Sequence, residues 1–171
     1  MSREQAELRR EAVDPAKVPR VARASAVIAL LVALTLVWQA LGLLQRDLAF
    51  TTTETEVSFW GRGDYQPYEH TREATGRAVE QLVAAAPGQP DYLTLAASYY
   101  AWRGYWAEEA AVESEYNARA LAAQYSAQRS RPAYRQGWES VLGYAARVEE
   151  TGTQLAVAQQ RLDALQPQTE R

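Results

Sequence analysis

The stretch that decides the fold is PGQPDYLTLAASYYAWRGYW, Pro87 to Trp106. Counted from Pro87, a bulky residue stands at Leu93, an apolar and a small residue at Ala96 and Ala97, an aromatic at Tyr100, a glycine at Gly104 and a second aromatic at Trp106. These are offsets of the tetratricopeptide pattern, in which small residues let two antiparallel helices approach and aromatic rings fill the wedge beside them. Six positions after Pro132 the opening recurs as Trp138, Val141, Leu142 and Ala145. The two prolines stand 45 positions apart, where a standard repeat takes about 34. The excess is close to three helical turns, so a second helix over roughly residues 105–130 can lengthen without rotating its apolar face away from its partner.

Working outward, breakers at Ala84–Tyr92, Gly104, Arg129–Tyr134, Thr151–Thr153 and Pro167 divide residues 69–171 into segments of helical length. Strand signals are scarce after Phe59. The expected fold is all-α, a tetratricopeptide-like helical hairpin domain over residues 69–171. The pattern assigns Tyr100 and Trp106 to the core. It leaves Tyr99, Trp102 and Tyr105, which diverge from them around the helix, free for packing or for contact.

From Ala24 to Leu44 the chain reads ASAVIALLVALTLVWQALGLL, without a charged residue. At about 1.5 Å per residue this covers about 30 Å, the hydrocarbon thickness of a bilayer. A cleaved signal peptide has a shorter apolar region and a basic leader, whereas this leader carries Glu4, Glu7, Glu11 and Asp14. We expect a retained single transmembrane helix. Arg3, Arg9, Arg10, Lys17, Arg20 and Arg23 precede it, while Arg46 alone opposes Asp47, Glu54 and Glu56 just beyond. The positive-inside rule therefore places residues 1–23 in the cytoplasm and the remainder across a bacterial inner membrane, in the periplasm. Ser25, Ala29 and Ala33 form a small-residue stripe that would admit a second membrane helix. Residues 45–68 read as a connector, in which the threonines Thr51 to Thr53 favour extended structure. A continuation of the membrane helix to about Trp60 is the preferred reading.

The chemistry in the sequence is sparse. With six of 18 basic and four of 21 acidic residues before the connector, twelve basic residues face seventeen acidic ones from residue 45 onward, which gives no footprint for nucleic acid. No cysteine is present, so disulfides and thiolate metal sites are excluded. His70 alone cannot build a histidine metal cluster, and no phosphate loop or nucleophile elbow occurs. The neighbouring pairs Glu108 with Glu109 and Glu149 with Glu150 read as solvent faces, and the Arg62-Gly63-Asp64 triplet, flanked by glycine and Pro67, reads as a turn. No enzyme, cofactor or metal is expected.

The segments RAVEQLVAAAPGQPDYLTLAASYYAWRGYW, 77–106, and YNARALAAQYSAQRSRPAYRQGWESVLGYAARV, 116–148, resemble VpsP-type polysaccharide biosynthesis proteins, small membrane-anchored proteins encoded with exopolysaccharide clusters. This copy departs from the family pattern at RPAYRQGW, where Arg135 and Gln136 separate the aromatic from Trp138. The resemblance implies a role in polysaccharide assembly or export and supplies no catalytic residues. The expected function is a membrane-tethered adaptor that scaffolds extracytoplasmic protein partners of such a machine. The alternatives are a glycan-binding module in which Tyr99, Trp102 and Tyr105 stack on sugar rings while Arg103, Arg131 or Arg135 bind polar groups, or an assembly factor for another membrane complex.

Overall fold

The structure is a computed structural model that describes residues 18–148 and 152–165. Among these residues all regular structure is helical: α1 Val18–Phe59, α2 Glu69–Ala85, α3 Pro90–Tyr105, α4 Ala110–Ser130, α5 Arg135–Ala145 and α6 Gln154–Ala164. The chain forms two compact units divided between Gln45 and Arg46. In the first, α1 is long and apolar enough to cross a membrane, with mean hydropathy 2.4 in its most apolar window. From Ala24 to Ala49 every residue but Gly42 is exposed. Apolar side chains on all sides of one helix suit lipid and not water.

Helix ends follow from local chemistry. Pro90 opens α3 at its first turn, where its fixed φ fits and its missing N–H costs nothing. Asp91 near that end and Arg103 in the last turn both match the helix dipole. Ala86 and Arg131 each precede a proline, a position that disfavours helical ψ. At φ −149° and φ −128° respectively they terminate α2 and α4.

In the second unit the end of α1 belongs to the core. Thr53, Val57 and Trp60 recur at helical spacing and are 6%, 4% and 2% exposed, and the Thr53 hydroxyl donates to the Ala49 carbonyl at 2.7 Å. Bonding back to the preceding turn lets a β-branched polar residue sit in a buried helix face. The helix thus runs past the membrane-length segment to Phe59, and the connector supplies core residues. Val57, Trp60, Val79, Leu82, Leu95, Ala96 and Tyr99 form one hydrophobic cluster. Leu121, Trp138, Val141, Ala145, Ala158 and Leu162 form a second.

Helix α3 packs antiparallel to both α2 and α4. Its start meets the end of α4 through Asp91 and Arg131, 2.7 Å apart, and its end meets the start of α4, where a Cβ on Gly104 would lie 3.1 Å from Asn117. On the other side Arg103 reaches Glu69 at the start of α2, at 2.6 Å. Ala96, Ala97 and Gly104 are buried, as are Trp138, Val141 and Ala145, while Leu93, Trp106 and Leu142 are half-buried. One aromatic assignment, that of Tyr99 to a face outside the core, is overturned. Tyr99 lies in the core at 7% exposure and Tyr100 is half-buried against it. The reason is Gly76 on α2, which leaves room for the Tyr99 hydroxyl; a Cβ there would come within 2.3 Å of it. Tyr100 instead turns to α4 and stacks on Tyr116, with centroids 6.3 Å apart. Helix α4 begins at Ala110, five residues later than the pattern suggests, because Trp106 to Glu109 are consumed by the turn.

The α4–α5 turn is organised by a buried amide. Gln128, 1% exposed, donates from Nε2 to the carbonyls of Arg131 at 2.9 Å and Tyr134 at 2.5 Å. The Trp138 indole donates to the Pro132 carbonyl at 2.9 Å. A Cβ on Gly137 would lie 1.9 Å from Gln128 Oε1, and Gln128 cannot retreat without releasing two carbonyls. Replacement of Gly137 or Gly76 by alanine should therefore destabilise the fold by about 1–3 kcal/mol. Gly143→Ala, in a helix with nothing within 4 Å of the new methyl, should stabilise it by up to about 1 kcal/mol. Thermal unfolding of the three variants checks this; equal melting temperatures would contradict the packing.

Candidate functional site

Between α1 and α2 the chain makes a tight turn whose shape rests on two glycines. Gly61 and Gly63 have φ +71° and +57°, left-handed values that an L side chain adopts at a cost. The turn is closed by backbone bonds from Arg62 N–H to Phe59 O, Tyr65 N–H to Arg62 O and Gly61 N–H to Tyr65 O. It is pinned to α1 by Glu56. One carboxylate oxygen, Oε1, accepts from the Trp60 indole at 2.9 Å and from the Tyr65 hydroxyl at 2.8 Å. The hydrogen bond to Glu56 raises the Tyr65 pKa above its ordinary value.

This turn forms one wall of a cleft of about 620 Å3, within the size range of small-ligand sites. Helix α3 forms the facing wall through Ser98, Ala101, Trp102 and Tyr105, which share one helix face by their spacing. Tyr144 and Arg147, at the end of α5 and just beyond it, complete the lining with Asp64 and Gln66 from the turn. Trp102 packs its ring edge so closely on Gly61 that a Cβ there would lie 2.2 Å away. It stacks on Trp106 at 5.1 Å and meets Tyr105 at 5.6 Å and 90°. The Arg72 guanidinium lies 4.4 Å from the Trp106 ring centre, so that indole is engaged by both a ring and a cation. Tyr105 is 71% exposed.

The cleft combines aromatic rings with few charges. Burial raises the Tyr144 pKa, against opposing effects of the Ser98 hydrogen bond and of Arg147, so its phenol is neutral near pH 7. The formal charges of the lining are Asp64 and Arg147, one of each sign.

Of the residues singled out as contact candidates, the structure brings Trp102 and Tyr105 together in this cleft. Tyr99 is in the core. Arg103 is held by Glu69 and lies 5.6 Å from the Tyr116 ring centre. Arg131 pairs with Asp91, and Arg135 pairs with Glu139 one turn along its own helix at 2.9 Å. None of these three arginines lines the cleft. Asp64, Tyr65, Gln66, Trp106, Tyr144 and Arg147 were not singled out as contacts from sequence. The glycine pair around Arg62 marks the turn, but only tertiary packing sets it against α3.

The Arg-Gly-Asp triplet does not project as one unit. Arg62 folds over the Phe59 ring at 5.2 Å, and Asp64 lines the cleft. His70 is exposed and stacks on Tyr68. Glu108 and Glu109 are exposed in the turn before α4, and Glu149 and Glu150 lie outside the described residues. Among the described residues no group of three or more acidic or histidine side chains is placed to hold a metal ion. Comparison with known protein families, characterised proteins and solved structures finds no match for this chain.

Tyr99, behind the cleft wall, gives the domain a pH signature. Burial is the largest cause of a pKa pushed up to about 12, with Arg103 acting in the opposite sense. The folded state holds this proton more tightly than the unfolded chain, whose tyrosines titrate near pH 10. The associated stability is complete below about pH 10 and disappears as pH rises towards 12. Denaturant unfolding should show an alkaline loss over this window that Tyr99→Phe reduces by about 2 kcal/mol. An identical alkaline profile for wild type and variant would contradict the placement of Tyr99.

Proposed function

We propose that this protein is a single-pass membrane adaptor of extracellular polysaccharide assembly, with its N-terminus in the cytoplasm and its helical domain in the periplasm of a bacterial cell. The anchor reading is supported by the length, apolarity and exposure of α1, and the orientation by the basic residues that precede the span. The antiparallel α3–α4 pair, with its small residues buried, supports a tetratricopeptide-like hairpin, a unit that presents surfaces to protein partners. The polysaccharide context is supported by the sequence resemblance over residues 45–148.

The observation that carries the adaptor reading is the exposure of large aromatic side chains on a well-packed domain. Tyr68 and Tyr105 are 77% and 71% exposed. Tyrosine supplies large contact area at low entropic cost, and rings of this kind dominate the energetics of protein interfaces. In this reading Tyr68 and Tyr105 are the anchor points for a periplasmic partner, and the small-residue stripe of the span offers a route to association within the membrane.

Topology and partner capture test the proposal together. Alkaline phosphatase fused after Arg171 should be active in a bacterial host, with Met1 to Arg23 retained; a shortened, soluble periplasmic product would overturn the anchor. Crosslinking in native membranes should capture a component of a polysaccharide machine, and Tyr68→Ala or Tyr105→Ala should reduce its yield about tenfold or more. Unchanged capture by both variants would overturn the assigned surface.

A further inference from the structure

The adaptor reading uses the exposed Tyr105 at the rim of the cleft and leaves its polar lining without a role. Its lining has a composition that a docking surface for protein does not require. The rings of Trp102 and Tyr105 stand at 90° and form a corner; one face of Trp102 is taken by Trp106, and Tyr105 is largely in solvent. Around this corner are an acceptor, Asp64, a donor, Arg147, and a group that both donates and accepts, Gln66; the Ser98 hydroxyl is already engaged by the Thr94 carbonyl at 3.1 Å. Such a site suits a ligand with a flat apolar face and polar groups around its edge. A purely apolar chain would leave Asp64 and Arg147 desolvated, which is costly. An anionic ligand would meet Asp64, and a cationic one would meet Arg147.

We infer that this cleft is a binding subsite for one neutral hexopyranose unit of a glycan, stacked in the corner of Trp102 and Tyr105 with its hydroxyls held by Asp64, Gln66 and Arg147. The ring C–H bonds of a pyranose face the negative quadrupole of the aromatic rings, and its hydroxyls act as donor and acceptor at once, which matches the mixed set around the corner. A cleft of about 620 Å3 exceeds the space of one sugar ring, so neighbouring units of the chain can leave through its open side.

The wall is prepared before the ligand arrives. Glu56 holds both Trp60 and Tyr65 through one oxygen, and Gly61 lets the turn close on the Trp102 edge. Affinity at such a site is not spent on ordering the turn. The inference goes beyond the adaptor reading and stands or falls without it.

The test uses the full-length protein in lipid nanodiscs, free of sugar-based detergent. The probes are neutral oligosaccharides of glucose, mannose and galactose, with an oligomer of a uronic acid alongside. Saturation-transfer NMR on the sugars and tryptophan fluorescence of the protein report binding. At least one neutral oligomer should bind, and Tyr105→Ala and Asp64→Asn should each weaken it about tenfold at unchanged melting temperature. Both substitutions are at the surface, so folding is preserved, and Tyr68→Ala should leave sugar binding as it is. No transfer from any neutral oligomer at about 10 mM overturns the inference. So does binding that survives both variants, or a preference for the uronic acid. Partner capture without sugar binding leaves the adaptor and removes the subsite; sugar binding without partner capture does the reverse.

Discussion

The close approach of α3 to α4 at Gly104, and to α2 at Gly76, determines where the aromatic rings of the domain can go. Small residues at Ala96, Ala97 and Gly104 bring α3 against its neighbours, and the rings beside them must then divide among the remaining directions. Tyr99 goes towards α2 because Gly76 has no side chain to meet it. Tyr100 goes towards α4, where Tyr116 and the Arg119 guanidinium receive it. Trp102 and Tyr105, on the face left over, meet the turn after α1. A methyl group at Gly76 would displace Tyr99, and through Tyr99 the Trp60 ring that packs on it at 5.9 Å. Packing in an interior this dense is transmitted and not absorbed.

The second cluster is governed by a polar constraint. The α4–α5 connection is only four residues long, and its carbonyls are turned inward, where they need donors. Gln128 and the Trp138 indole supply them. Both belong to helices with large buried faces, so a single set of side chains satisfies the turn and fills the core. Arg135 and Gln136 lie on the exposed start of α5, where Arg135 pairs with Glu139 and neither residue enters the core.

Much of the helical order was legible in the sequence because prolines and glycines mark the helix ends locally. Trp138, Val141, Ala145, Ala96 and Ala97 are buried at the positions the spacing assigns. The burial of Tyr99 was not legible, since it depends on Gly76 some twenty residues earlier. The connector's role in the core follows from Thr53, Val57 and Trp60 at helical spacing, a period hidden by the β-branched threonines around it. The cleft was the least legible feature. Its residues come from three separated stretches, and the sequence names the α3 face alone. Arg103, Arg131 and Arg135 have the chemistry of contact residues, but each has an acidic partner within the domain, and that pairing is fixed only by the fold.

Local rules are broken most often around the cleft. Two left-handed glycines within three residues, a tryptophan left half-buried at the edge of a core and a tyrosine displayed largely to solvent each depart from what stability alone favours. Conflicts between local preference and packing collect at sites under another selection. The same turn also carries some of the domain's most economical polar geometry, one Glu56 oxygen bonded to both an indole and a phenol. A loop that served only to reverse the chain would not need to be fastened in this way. Fastening has a use when the wall must hold its shape for something that binds weakly, because a weak ligand cannot supply the free energy to order it. A pinned turn facing a rigid helix, with an exposed ring at the rim, is the arrangement that the proposed subsite requires.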